Sequence, residues 1–322
     1  MRHRRSTTLI GLLPSLVILG AAGLIAWSWR DQLPDPIATH FSADGPDRFG
    51  SLGGFIALML GVFTAVAISA WLVALMLGLS SSTRRIGVGV AVGMSGFGAA
   101  LLLGFLNAGR GLADAQEMGS VNSVVVIAGL IGLGLGALAA WAVPGDPAQP
   151  AHGKVTGPRL ALGENERAVW RQQVTSRIGQ QLGGWMTVLI VVLAIVLQFP
   201  AMLLIAAVLA VLLVGMTVIQ VTVDATGLHL RSAAGRPRLT VPVTEITGVE
   251  VQQVNALREF GGWGIRVGRQ GQLGWVMRNG EGIRVHRTGD RDLVVTVPDA
   301  ATGAALLATL AQRARESGSP ED

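Results

Sequence analysis

Long apolar stretches alternate with short polar ones over the first 220 residues of this chain. Residues 7–29, 53–79, 86–107, 122–143 and 183–220 contain no Asp, Glu, Lys, Arg or His. Runs of about 20 uncharged, mostly apolar residues match the hydrocarbon thickness of a bilayer. The pattern therefore predicts an α-helical integral membrane protein. The last run is too long for one span, since a straight helix over 183–220 would measure about 57 Å, nearly twice that thickness. Gln198-Phe199-Pro200 lies near its centre, and proline disfavours helix at the residue before it. The expected structure there is a helical hairpin with arms of roughly 183–198 and 200–219, giving six spans.

Six spans put both termini on one side, and the positive-inside rule says which. Segments 1–6, 80–85 and 144–182 together carry ten basic residues, against three on 30–52 and 108–121. The expectation is a bacterial plasma-membrane protein with both termini cytoplasmic. The opening Met1-Arg2-His3-Arg4-Arg5 and the apolar run after it also have the order of a signal peptide. The run exceeds the usual length of such a region, however, and Trp27 and Trp29 close it where an interfacial belt belongs. An uncleaved first span is the expected outcome.

Beyond Val218 the period changes to two. Val221-Thr222-Val223, Leu228-His229-Leu230, Val249-Glu250-Val251, Ile265-Arg266-Val267, Ile283-Arg284-Val285 and Val295-Thr296-Val297 alternate, with Gly-rich turns between them. Half-buried antiparallel strands read this way. About seven strands and a final helix are expected, the helix with Asp299 as N-cap and Leu306, Leu307 and Leu310 on its apolar face. The predicted organisation is a four-helix membrane domain (1–143), a cytoplasmic linker (144–182), the transmembrane hairpin (183–220), a cytoplasmic β domain (221–315) and a disordered tail (316–322).

Small residues recur at helical spacing in two of the spans: Gly89, Gly93, Gly96, Ala100 and Gly104, then Ala128, Gly132, Gly136 and Ala140. Such stripes let helix backbones approach closely. They predict packing within the bundle, or a homo-oligomer face.

Composition narrows the chemistry. The chain of 322 residues has no Cys, which removes disulfides and thiolate ligands. Mean hydropathy is +0.52. The pI near 11.2 reflects arginine with no Tyr or Cys to titrate against it, and the net charge is only +5. The β domain is close to neutral, so no nucleic-acid partner is expected. No metalloprotease, phosphate-loop or nucleophile-elbow motif occurs. The glycines of Gly129-Leu130-Ile131-Gly132-Leu133-Gly134 fall inside a span, with no strand before them. Neither enzymatic activity nor a cofactor is expected.

The loop after the first span reads Leu33-Pro34-Asp35-Pro36, then Thr39-His40-Phe41, Gly45 and Gly50-Ser51. It resembles the signature of the domain-of-unknown-function 1648 family, a bacterial membrane module in which such a stretch joins two spans. The same module stands at the front of immunity proteins against the sporulation-delaying toxin. Further on, Gly163-Glu164-Asn165-Glu166-Arg167-Ala168-Val169-Trp170, the apolar hairpin, Phe260-Gly261-Gly262-Trp263-Gly264-Ile265-Arg266 and Val294-Val295-Thr296-Val297-Pro298-Asp299 are similar to bacterial pleckstrin-homology-like membrane proteins. That resemblance implies a pleckstrin-homology-like C-terminal domain.

Two sets of residues stand out as candidate sites. The outer loop gathers His40, Phe41, Asp35, Asp44 and Asp47. Imidazole and carboxylates suit divalent cations, whereas Asp-Gly-Pro sequences also simply shape turns. Contact with a protein or peptide partner, without a metal, is the expected role. In the β domain, Arg266, Arg269, Arg278, Arg284 and Arg287 are candidates for anionic lipid headgroups; the alternative is a solvated, self-paired sheet face. The leading expectation is a non-enzymatic protein of signalling, immunity-like or scaffolding type, in contact with the lipid bilayer. The rival is a transporter or channel with an uncharged polar pathway, disfavoured because ionisable groups are missing from the runs.

Overall fold

The computed structural model describes residues 2–42, 45–163, 166–196, 201–235 and 237–317. Asp44, the Gln198-Phe199-Pro200 segment where the hairpin is expected to reverse, Glu164, Asn165 and residues 318–322 of the expected tail lie outside the described residues. The chain divides into two compact units, 1–145 with 189–206, and 146–188 with 207–322.

The first unit is helical. Helix α1 (Arg2–Thr7) runs through a π turn (Thr8–Leu12) into α2 (Leu13–Ser28). A hairpin of β1 (Ile37–Ser42) and β2 (Gly45–Gly50) follows, then α3 (Leu52–Met76), α4 (Ser81–Gly109) and α5 (Asn122–Ala142). These are helices long and apolar enough to cross a membrane, and their ends fall close to the edges of the charge-free runs. Side-chain caps fix two of the starts. Ser51 accepts from the Gly54 N–H at 3.2 Å, and Ser80 from that of Thr83 at 3.3 Å, each satisfying a donor that the first turn leaves free.

The two small-residue stripes meet inside the chain. A Cβ on Gly93 would lie 2.9 Å from the Gly132 carbonyl oxygen, and one on Gly136 would lie 2.7 Å from that of Gly89. Backbone therefore packs directly on backbone between α4 and α5, and the stripe offered as a homo-oligomer face is covered at these positions by its own neighbour.

Arginines close the helix ends on the other side. Arg84, 1% exposed, donates from Nη1 to the carbonyls of Gly78 (2.9 Å) and Leu79 (3.3 Å) just past α3. Arg85 donates from Nε and Nη2 to the Val143 carbonyl past α5, at 3.3 and 3.2 Å. Carbonyls at a helix C-terminus lack intrahelical donors, and a guanidinium supplies several.

The second unit is built around β strands. It comprises β3 (Trp170–Thr175), β4 (Val218–Asp224), β5 (Gly227–Ser232), β6 (Arg238–Pro242), β7 (Ile246–Val254), α8 (Ala256–Phe260), β8 (Gly264–Val267), β9 (Leu273–Val276), β10 (Gly280–Arg287), β11 (Leu293–Thr296) and α9 (Ala300–Glu316). Helices α6 (Arg177–Val196) and α7 (Ala201–Met216) stand between β3 and β4. One sheet is the antiparallel meander β3-β4-β5-β6; the other has the order β7-β10-β11-β9-β8, antiparallel except between β11 and β9. Their apolar sides enclose Val221, Leu228, Leu230, Trp275, Ile283 and Leu293, and Leu306, Leu307 and Leu310 of α9 close the core as the sequence predicts.

Two features differ from the sequence reading. Of the segment 144–182, expected as a linker, several described residues pack into this unit. Val155 and Trp170 enter the core, the Val249 N–H donates to the Thr156 carbonyl at 2.9 Å, and β3 is an edge strand paired with β4. The hairpin helices also begin earlier and end sooner than the apolar run. Thr175 pairs with Val218, and the Ser176 N–H donates to the Thr217 carbonyl at 2.8 Å. The first residues of α6 and the last of α7 thus continue two paired strands of the sheet.

Candidate functional site: the hairpin between the first two apolar helices

The register of β1 and β2 assigns each signature residue a place. Ile37 pairs with Gly50, His40 with Arg48, and Ser42 with Gly45. Ile37 is buried against Phe55, Leu102 and Leu106. Phe41 turns inward as well, into a small cluster with Ala38, Ala115, Met118 and Val121, and its ring stands edge-on to Phe105. These two anchors hold the hairpin on the helix ends through burial of apolar surface. Thr39 Oγ1 donates across the strands to the Arg48 carbonyl at 3.2 Å, and Ser51, one residue past β2, caps α3.

His40 points the other way. Its Nδ1 lies 2.6 Å from Asp47 Oδ1, with side chains 56% and 41% exposed. Asp35 is exposed and takes no part in this pair; Asp44 falls outside the described residues. Among the described residues no group of three or more His, Cys, Asp and Glu is placed to hold a metal. Of the five loop residues named from the sequence, the structure joins His40 to Asp47, makes Phe41 an anchor and leaves Asp35 apart.

The neighbouring loop adds a contact with no sequence signal. Arg110 donates to Gln32 Oε1 from Nε (3.0 Å) and Nη2 (2.5 Å), and its guanidinium lies 4.4 Å from the Trp29 ring centroid. The Gly111 N–H donates to the Gln32 carbonyl at 2.8 Å. A cation over an indole face is favourable, so the segments at 29–33 and 107–112 form one platform beside the hairpin.

Residues 16–64 match the family model described as Domain of unknown function (DUF1648). The match takes in most of α2, the whole hairpin and the first half of α3, so the DUF1648 segment is the part of the chain that presents His40 and Asp47. No curated protein and no solved structure matches the chain.

The second candidate set does not form one cluster. Arg284 pairs with Asp292 at 3.0 Å, and Arg287 with Glu245 at 2.7 Å. Glu245 also takes Arg291 at 3.1 Å, and both of these partners are buried. Arg278 donates to the Val297 carbonyl (3.0 Å) and Arg266 to that of Trp263 (3.0 Å). Arg266 and Arg269 remain exposed. Buried pairing of this kind satisfies charge internally, and sequence spacing alone gives no sign of which arginines find carboxylates.

Proposed function

We propose that this chain is a non-enzymatic, multi-pass protein of the bacterial plasma membrane, with six spans and both termini cytoplasmic. It presents the DUF1648 hairpin outside as a recognition surface for a protein or peptide, and carries a pleckstrin-homology-like module inside. Its role is of signalling, immunity-like or scaffolding type. The observation that carries this reading is the contrast within the hairpin. Phe41 and Ile37 are anchored in apolar clusters, while His40 and Asp47 form a close polar pair open to solvent, where such a contact contributes little to stability. Support for the inner module comes from the four-stranded meander, the antiparallel β7, β10 and β11 of the second sheet and the closing α9. The strand-to-helix continuity at Ser176 and Thr217 favours two short spans over one long one.

The test replaces His40 and Asp47 together by Ala in the full chain and measures membrane abundance beside the phenotype of gene deletion. Loss of phenotype at unchanged abundance is expected. Normal phenotype at normal abundance overturns the recognition role. Solute flux through liposomes carrying the purified protein would instead favour the transporter reading.

A further inference from the structure

Arg231 at the end of β5 and Arg238 at the start of β6 flank a turn, and the sequence between them holds no acidic residue. An open cavity of about 460 Å³ lies there, lined by Arg231, Ala234, Gly235 and Arg238. Arg231 and Arg238 are direct cross-strand partners, so their side chains share one face of the sheet. Like charges directly opposed on adjacent strands are destabilising. Both are exposed, and among the described residues neither has a carboxylate within ion-pair distance. Arg284, Arg287 and Arg291 of the same unit all do.

The position of the turn gives this unbalanced charge a meaning. The Ala233 N–H donates to the Val218 carbonyl at 2.9 Å, and a Cβ on Gly215 would meet the Ala234 Cβ at 3.6 Å. The turn therefore sits against the last residues of α7. Arg177, exposed at the start of α6, adds a further cation to this end of the helical hairpin, since Ser176 and Thr217 are bonded there. Between these two ends the sequence 183–216 holds no charge.

We propose that the β5–β6 turn is a binding site for the phosphate of anionic lipid headgroups, with Arg231 and Arg238 as its ligands. The proposal rests on the reading of α6 and α7 as a membrane-inserted hairpin. Guanidinium groups bind phosphate oxygens in paired, charge-assisted hydrogen bonds, and an anion between Arg231 and Arg238 removes their mutual repulsion. A soluble phosphate offers the same chemistry, but the place of the turn at the hairpin base favours the headgroup layer.

The experiment uses the full chain in vesicles of phosphatidylcholine with a minority of phosphatidylglycerol, extracted in mild detergent. Mass spectrometry then counts the lipids that co-purify. The native chain is expected to enrich phosphatidylglycerol over its input fraction. Arg231→Gln with Arg238→Gln is expected to lower that enrichment on the order of tenfold, whereas Arg258→Gln with Lys154→Gln leaves it unchanged. A fluorophore on Val192→Cys in the same samples reports whether the hairpin lies in hydrocarbon. Apolar emission with unchanged enrichment in the Arg231 and Arg238 variant overturns the lipid site alone. Aqueous emission overturns the hairpin reading and the site with it. Displacement of phosphatidylglycerol by millimolar inorganic phosphate would reassign the site to a soluble anion and overturn the lipid source.

Discussion

Phe41 in the hairpin and Phe105 near the end of α4 stand edge to face, with ring centroids 5.3 Å apart and planes at 80°. The signature residue beside His40 is thus a packing residue, and its neighbour is the exposed one. Phe41→Ala removes this contact and part of the cluster with Ala38 and Met118, at a cost of about 2 kcal/mol. His40→Ala should stay within about 0.5 kcal/mol of the native chain. Thermal unfolding of the purified protein checks both. Equal destabilisation by the two substitutions would mean that the hairpin is held as much by its His40–Asp47 contact as by its aromatic anchor.

The pairing of Thr175 with Val218 makes a topological prediction. Strands joined by an antiparallel ladder lie on one side of a bilayer, so under the proposed topology α6 and α7 return to the side from which they left. In this cysteine-free chain, Gly119→Cys should react with a membrane-impermeant maleimide in intact cells, and Glu281→Cys should not. Both positions are exposed. Labelling at 281 in intact cells would overturn the proposed cytoplasmic placement of the β domain.

The close approach of α4 and α5 can be probed by side-chain size. Gly93→Leu places a branched side chain where the Gly132 carbonyl already stands at 2.9 Å from a bare Cβ. Overpacking of this kind costs about 1–3 kcal/mol. A Cβ on Gly129 of α5 meets nothing within 4 Å, and Gly129→Leu should leave the unfolding midpoint near that of the native chain. A Gly93→Leu protein as stable as native would mean that the two helices separate easily.

What was legible in the sequence follows from which forces are local. Helix ends in the first unit track the loss of charge, because an unpaired charge in hydrocarbon is costly wherever it falls. The hairpin site was half legible: His40 and Asp47 stand seven residues apart, but the Phe41 anchor depends on Phe105, which lies in an apolar run with nothing to distinguish it. Strand β3 was missed because Trp170-Arg171-Gln172-Gln173-Val174-Thr175 alternates poorly. Its partner β4 lies beyond two helices, and pairing at that distance leaves no periodic mark. Strand β9 was missed for the opposite reason. Leu273, Gly274, Trp275 and Val276 are all buried, so both faces are apolar or small and no alternation exists to read.

Asp299 offers a test by pH. It occupies the cap position of α9 with a left-handed backbone (φ 54°), but its carboxylate serves side chains. Thr302 Oγ1 donates to Oδ1 at 2.7 Å, and Trp170 Nε1 donates to Oδ2 at 3.2 Å. These bonds, that of Thr302 foremost and that of Trp170 next, hold the Asp299 pKa below its ordinary 3.8 against a smaller opposing effect of burial. A carboxyl whose folded pKa is depressed stabilises the fold above its unfolded value. That contribution is lost as pH falls through the lowered folded value. Thr302→Val removes the strongest of these donors, and should cost about 1 kcal/mol at neutral pH. The gap in unfolding midpoint between native and variant is expected to stay constant from pH 7 down to about pH 5 and to shrink below 3.8. Comparing the two chains at each pH cancels the other carboxylates, which titrate alike in both. A gap that widens on acidification would mean that Thr302 stabilises the neutral acid, and would reverse the assignment of donor and acceptor at this cap.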